Sequence, residues 1–359
     1  MTSSSPTAEA DREAPATAWG RFAAELRDAV SLRTVGLVAA VMAVQFGFVL
    51  SYVGAFHAPA PDRIPMAVVA PAPVAGKTAA RLNELPGAPL LVRTAAHEQQ
   101  ARALLLDRTV YAALVIDPDG PNDTLLVASA GGPAVSTAVQ QIAQVVEDKQ
   151  QRHLTVSDIR PPTAGDARGM SSFYLVMGWI VGGYLAAAIL GMAMGARPAN
   201  FHRSIVRLGV LALYAAASGL GGAVIADSVL GALPGHITAL WALGTLVVFA
   251  AAAVTVALQI MLGLLGIGAA VTLFVVLGNP SAGGAYPGPL LPAFWQGIGP
   301  WLPPGAATTA VRNTVYFSGH AVGQPLWVLA GYAAAGAAAA LTASALHIRH
   351  GRRPLPTAA

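Results

Sequence analysis

Cysteine is absent from the 359-residue sequence. Its absence excludes disulfides, thiolate nucleophiles and cysteine-ligated metal sites. Charge is scarce as well. Asp, Glu, Lys and Arg make up 11% of the chain, against about 25% in a soluble domain. Carboxylates are scarcest in the C-terminal half. From Phe173 to Ala359 only Asp227 is acidic, against Arg197, Arg203, Arg207, Arg312, Arg349, Arg352 and Arg353. Lys77 and Lys149 are the only lysines. Neither an HExxH zinc motif nor a plausible catalytic triad occurs. No catalytic residue, cofactor or metal is expected, and the scattered His57, His97 and His153 suit surface positions.

Gly76-Lys77-Thr78 is like the end of a Walker A loop. That loop needs a glycine five residues before the second one, so that backbone N–H groups wrap a phosphate. Pro71 stands there, and Pro73 removes a further N–H. The segment is the start of a helix, and ATP hydrolysis by this chain is not expected.

What is present is apolar length. Hydrophobic residues make up 55% of the chain, and mean hydropathy is +0.58. Spanning the hydrocarbon takes about 20 apolar residues. Stretches of this kind run over 34–56, 173–195, 205–229, 237–257, 260–277 and 325–346. They predict a polytopic α-helical membrane protein of about six spans. The arginines cluster at the ends of these spans, and the positive-inside rule accounts for them. Nucleic acid is therefore not an expected partner, whereas membrane lipids are.

The polar residues divide the chain further. Residues 1–18, rich in Ser, Thr, Ala and Pro, have the composition of a disordered cytoplasmic tail. Trp19, Phe22, Leu26, Ala29 and Val30 fall at helical spacing, with Arg21, Glu25, Arg27 and Asp28 between them. This predicts an amphipathic helix on the inner membrane surface, completing a segment 1–33. Arg21, Arg27 and Arg33 then hold the N-terminus inside, and 34–56 is read as an uncleaved signal anchor.

Residues 57–172 carry most of the remaining charge, and apolar runs there alternate with turn signals. Strands are expected at 66–70, 90–94, 110–116 and 124–130, and helices at 77–85, 97–107 and 135–154. The pattern predicts a small α/β domain with a partly parallel sheet, inserted on the non-cytoplasmic side between the first and second spans. A five-helix membrane domain, 173–347, follows. Its loop 196–204 carries Arg197, His202 and Arg203, and a basic tail, 348–359, closes the chain. Both fall inside if the N-terminus does and the span count is even, which places both termini in the cytoplasm at the plasma membrane.

Residues 278–324 are rich in Pro and Gly and hold Trp295, Trp301, Tyr286, Tyr316 and Phe317. Short helices at 292–297 and 305–317 are expected at the outer interface, over the mouth of the bundle. Trp295, Trp301 and Arg312 are the candidate outer-mouth substrate or lipid site, since no positive-inside argument explains Arg312; its pairing with a carboxylate of the external domain is the competing reading. Asp227 is the candidate intramembrane polar residue; a solvated position near the outer end of its span is the competing reading. Gly178 with Gly182, and Gly191 with Gly195, have the spacing that lets helices approach closely in lipid.

Two stretches carry a resemblance. One is Glu98-Gln99-Gln100-Ala101-Arg102-Ala103-Leu104-Leu105, followed by Val110-Tyr111-Ala112-Ala113-Leu114-Val115-Ile116-Asp117-Pro118. The other comprises Leu277-Gly278-Asn279-Pro280-Ser281-Ala282-Gly283-Gly284, Leu291-Pro292-Ala293-Phe294-Trp295, Leu302-Pro303-Pro304-Gly305 and Val311-Arg312-Asn313. With the layout of one span, one polar domain and five further spans, the chain resembles the ABC type-2 permeases. Within them it resembles the phage infection protein (YhgE/Pip)-like membrane proteins. Its external domain is more compact than in many of these relatives. The resemblance implies an export-type permease working as a homodimer or heterodimer with a separate ATP-binding subunit. Arg197, His202 and Arg203 then become the candidate ATPase contact. The expected cargo is lipid-like or amphiphilic, because the bundle is nearly free of charge. The alternatives are a non-transporting cell-surface receptor or envelope scaffold protein, and proton-coupled export through Asp227.

Overall fold

The computed structural model describes Trp19, Phe22 and residues 32–195 and 201–351. The N-terminal tail, the rest of the amphipathic stretch, Arg197 and the basic tail from Arg352 lie outside the described residues. Contacts divide the chain into two units at Phe46/Gly47. The break falls within helix α1 (Leu32–Phe56), whose apolar run supplies the first candidate span, Thr34–Phe56.

After the end of α1, the second unit forms an α/β domain. Its strands are β1 (Ile64–Val69), β2 (Leu90–Ala95), β3 (Ala112–Val115), β4 (Asn122–Val127) and β5 (His153–Asp158). Its helices are α2 (Ala72–Asn83), α3 (Glu98–Leu106) and α4 (Pro133–Lys149). The strand order is β2-β1-β3-β4-β5. All neighbours are parallel except β3 and β4. Residues alternate between the two faces of a strand. Met66 and Val68 thus join a core with Val135, Val139 and Ala143 of α4 and Ala79 and Leu82 of α2. Ala67 and Val69 face the other way, toward Ala101 and Leu105 of α3. Both faces are covered, as parallel sheets require.

The fifth strand differs from expectation. The helix expected over 135–154 ends at Lys149, and Gln151, at φ +56°, turns the chain back. Residues 153–158 then add to the sheet edge beside β4. They are largely exposed, so no buried apolar run marks them as a strand.

The bundle contains α5 (Ser171–Met194), α6 (Phe201–Val224), α7 (Ile237–Leu262) and α11 (Gly323–Gly351). With α1, these give five described helices long and apolar enough to cross a membrane. The central one is α7, with 61% of its apolar window buried against 22–33% for its neighbours α5, α6 and α11. It is apolar all round, as a helix without a solvent face must be.

Helix backbones approach one another closely. A Cβ on Gly183 would meet the Val248 carbonyl at 2.5 Å, and one on Gly219 would meet the Thr245 amide at 2.5 Å. Of the expected small residues, Gly191 packs against the Gln259 side chain and Gly182 approaches the Tyr214 hydroxyl, while a Cβ on Gly178 would meet nothing; Gly183, outside that pattern, makes the close backbone approach.

The expected span count of about six is not reproduced by length. Residues 260–262 finish α7, and Gly263, at φ +63°, turns the chain sharply. The short apolar helix that follows is α8 (Leu265–Val271), which widens to π geometry over Thr272–Leu277. Leu265–Leu277 falls below the length of a spanning helix: about 20 Å at 1.5 Å per residue, against a hydrocarbon core of ~30 Å. The chain then forms two short helices, α9 (Ala293–Ile298) and α10 (Pro303–Tyr316). Pro292 and Pro303 stand where each begins, positions that need no intrahelical N–H. Nearly every residue of α10 is buried, and it packs against α5, α7 and α11.

Candidate functional site

The α/β domain sits directly on α10. Ala306, Ala307, Ala310, Val311 and Phe317 share one buried cluster with Ala101, Leu105, Leu126 and Ala128 of the domain. Polar ties reinforce it. The Tyr316 hydroxyl donates to Asp166 Oδ2 at 2.7 Å, and Thr163 Oγ1 donates to the Ala232 carbonyl at 2.8 Å. Beside these contacts a cavity of about 920 Å³ remains, with Asp62, Arg63, Arg108, Gln296, Arg312 and Asn313 among its lining residues.

Arg312 is 5% exposed. Its Nη2 donates to the Gly283 carbonyl at 3.1 Å, and its buried Nε has no partner. Burial, and then the like charge of Arg108, bring its pKa down to about 10, so it stays cationic at neutral pH. The neighbouring Asn313 contributes a second buried atom without a partner, Oδ1.

Arg108 reaches the cavity from the opposite wall. It occupies the corner between α3 and β3 at φ +60°, a conformation that costs a non-glycine residue about 1–2 kcal/mol. Its Nη2 donates to the Gly131 carbonyl at 3.0 Å. The guanidinium lies 4.5 Å from the Phe317 ring centre and 5.2 Å from that of Tyr111. Burial lowers its pKa as well. A Cβ at Gly131 would strike Arg108 Nη1 at 2.0 Å, so glycine is needed there to admit the side chain. Arg63, the third cavity arginine, is also left-handed at φ +47°. No carboxylate lies within ion-pair distance of any of the three among the described residues.

The expected site is thus rearranged. Arg312 faces the cavity, but Trp295 is buried with Ala55 and Leu291. Trp301 is exposed and lines a separate apolar groove with Trp327 and Tyr332. Arg108 and Arg63 replace the two tryptophans, and no periodicity or motif in the sequence singles them out.

The remaining candidates lie elsewhere. Asp227 Oδ2 accepts the His236 backbone N–H at 2.9 Å, which ties the turn before α7 and gives Asp227 a structural task. His202 and Arg203, expected in a loop, are exposed residues in the first turn of α6. Arg207, one turn further, is 3% exposed. Its Nη2 donates to Gln259 Oε1 at 2.6 Å and to the Ala187 carbonyl at 2.9 Å.

The fold and cavity define a membrane-embedded helical protein bearing a small α/β domain, with a cationic cavity where the domain meets the paired short helices. Comparison with protein-family models, with curated proteins and with solved structures finds no match.

Proposed function

We propose that this chain is a permease subunit of the ABC type-2 kind, resident in the plasma membrane with both termini cytoplasmic. It exports a lipid-like or amphiphilic compound as part of a homodimer or heterodimer, with energy from a separate ATP-binding subunit. One observation carries the reading: the two stretches that resemble such permeases meet at one cavity. The first stretch flanks Arg108, on the domain wall. The second supplies Ser281, Gly283, Gly305, Arg312 and Asn313 on the other. The nearly charge-free bundle supports an amphiphile over an inorganic ion as cargo.

The test is gentle detergent purification of the tagged protein from its own cells, with identification of every protein that accompanies it. A stoichiometric ATPase, lost in an Arg197→Glu/Arg203→Glu variant, is the expected result. Its absence, under conditions that preserve a control ABC complex, would overturn the permease reading. Orientation is read by single cysteines in this cysteine-free chain, at exposed Gln144 and exposed His202. An impermeant reagent should label the first from outside and not the second.

A receptor or envelope scaffold remains the second reading, and one feature favours it. The α/β domain carries an apolar groove of about 580 Å³ between α2 and α4, lined by Leu82, Leu85, Ile142 and Val145, with Arg81 and Lys149 beside them.

A further inference from the structure

We propose that the cavity between the α/β domain and α10 binds a phosphate-type oxyanion between Arg108 and Arg312. Two cations from different parts of the fold line one cavity, with no carboxylate paired to either among the described residues. Placing like charges together in a poorly solvated space is unfavourable unless an anion joins them. Asp166 attracts Arg312 through space but makes no ion pair with it, because its oxygens are bonded elsewhere. Asp166 accepts from the Tyr316 hydroxyl and from the Ser171 N–H. Asp62 is the one carboxylate in the cavity lining, where it stands against Arg63, Arg108 and Arg312.

Arg312 is only partly satisfied by the protein, and its guanidinium lines the cavity. Its Nε is buried with no partner, while Nη2 is held by Gly283. Guanidinium groups suit phosphate oxygens because several N–H groups lie in one plane. Arg108 is fixed in place by the Gly131 carbonyl and by the Phe317 and Tyr111 rings. A cation held in this way needs little reorganisation when an anion arrives. Arg108 and Arg63 both have positive φ, and left-handed non-glycine residues concentrate at binding sites.

Size and lining narrow the ligand. About 920 Å³ is far more than one phosphate fills, and Leu91, Pro65, Pro287, Pro289 and Pro300 give the cavity apolar surface. Cavities of ~300–1,000 Å³ with a few converging polar groups hold small organic ligands. The chemistry indicated is an oxyanion attached to an apolar body, or the oxyanion alone. A phospholipid headgroup and free phosphate are the two sources to be separated. The inference stands on the cavity and not on the permease reading, so binding is tested without a transport assay.

The experiment uses the purified full chain in a neutral detergent, with thermal unfolding followed as inorganic phosphate is added. Parallel titrations use micelles containing phosphatidylglycerol or phosphatidylcholine. Saturable stabilisation by phosphate identifies a small-anion site; stabilisation by phosphatidylglycerol alone identifies a headgroup site. In either case Arg312→Gln and Arg108→Gln should each weaken binding by about tenfold or more. Arg102→Gln, which removes an exposed arginine paired with Glu98, should bind as the native chain does. No stabilisation by either anion, or equal stabilisation of both cavity variants, would overturn the proposal. If those variants do not fold, the native chain alone decides. The stabilising anion should slow phenylglyoxal modification of Arg108, and an unchanged rate would count against the site.

Discussion

The Tyr316 hydroxyl donates to Asp166 Oδ2 at 2.7 Å across 150 positions of sequence. Burial pushes the Tyr316 pKa up to about 12, so the hydroxyl remains a donor throughout the neutral range. The bond joins the end of α10 to the segment that leads from the α/β domain into α5.

Removing that donor tests how firmly the domain is seated. Tyr316→Phe keeps the ring and leaves Asp166, 3% exposed, with its bond from the Ser171 N–H. The expected loss of stability is about 1–3 kcal/mol, the cost of a missing partner to a buried charged group. It should appear as a lower unfolding midpoint in detergent. An unchanged midpoint would mean that water replaces the hydroxyl.

A pH-dependent term is expected from Glu147 in the α/β domain. Burial first, then the neighbouring Asp123, raise its pKa from 4.5 to about 7, against the opposing pull of Arg152 and Arg81. Arg152 is committed to Asp123 through two contacts of 2.6 Å, and Glu147 Oε2 lies 3.9 Å from Arg152 Nε. A raised carboxyl pKa means that the folded state holds a proton the unfolded state has released. Stability from this group is therefore greatest below pH 4.5 and falls as pH rises to about 7. Glu147→Gln should flatten that slope and stabilise the protein at pH 8 by about 1–3 kcal/mol. Thermal unfolding of both forms between pH 4 and 8 is the measurement, and parallel curves would refute the assignment.

Arg207 and Gln259 should behave as a coupled pair. Gln259→Leu takes away the acceptor at 2.6 Å and leaves the buried guanidinium with the Ala187 carbonyl. Losing one partner of a hydrogen bond to a buried charged group costs about 1.5–3 kcal/mol, whereas replacing both partners by apolar groups is far milder. The double variant Arg207→Leu/Gln259→Leu should therefore be more stable than Gln259→Leu alone. Strict additivity in a double-mutant cycle would show that the contact contributes little.

Sequence and structure agree where one face or one long run decides the outcome. Apolar length locates α1, α5, α6, α7 and α11, because a spanning helix must satisfy its own backbone and expose apolar side chains. The pairing of Val135 with Val139 marks α4 and Pro292 marks the start of α9, whereas α10 starts at Pro303, two residues before the expected 305. Agreement ends where a short element depends on its neighbours. The edge strand β5 shows no buried run, and Leu265–Leu277 is apolar like a span yet too short to be one by length.

The candidate cavity was half legible. Arg312 stood out because the positive-inside rule does not explain an arginine in the outer segment. Arg108 did not, since an arginine between a helix and a strand usually faces water.

By itself the sequence determined a membrane-embedded helical protein with an inserted α/β domain, because hydropathy and alternation are local quantities. Only the tertiary structure decided which polar groups share a cavity. It placed Arg108 against Phe317 and beside Arg312, sent Trp295 into a core and Trp301 to the surface, and bonded Asp227, at the π-helical end of its span, to the His236 N–H. Those outcomes depend on contacts between residues far apart in the chain, which no local pattern encodes.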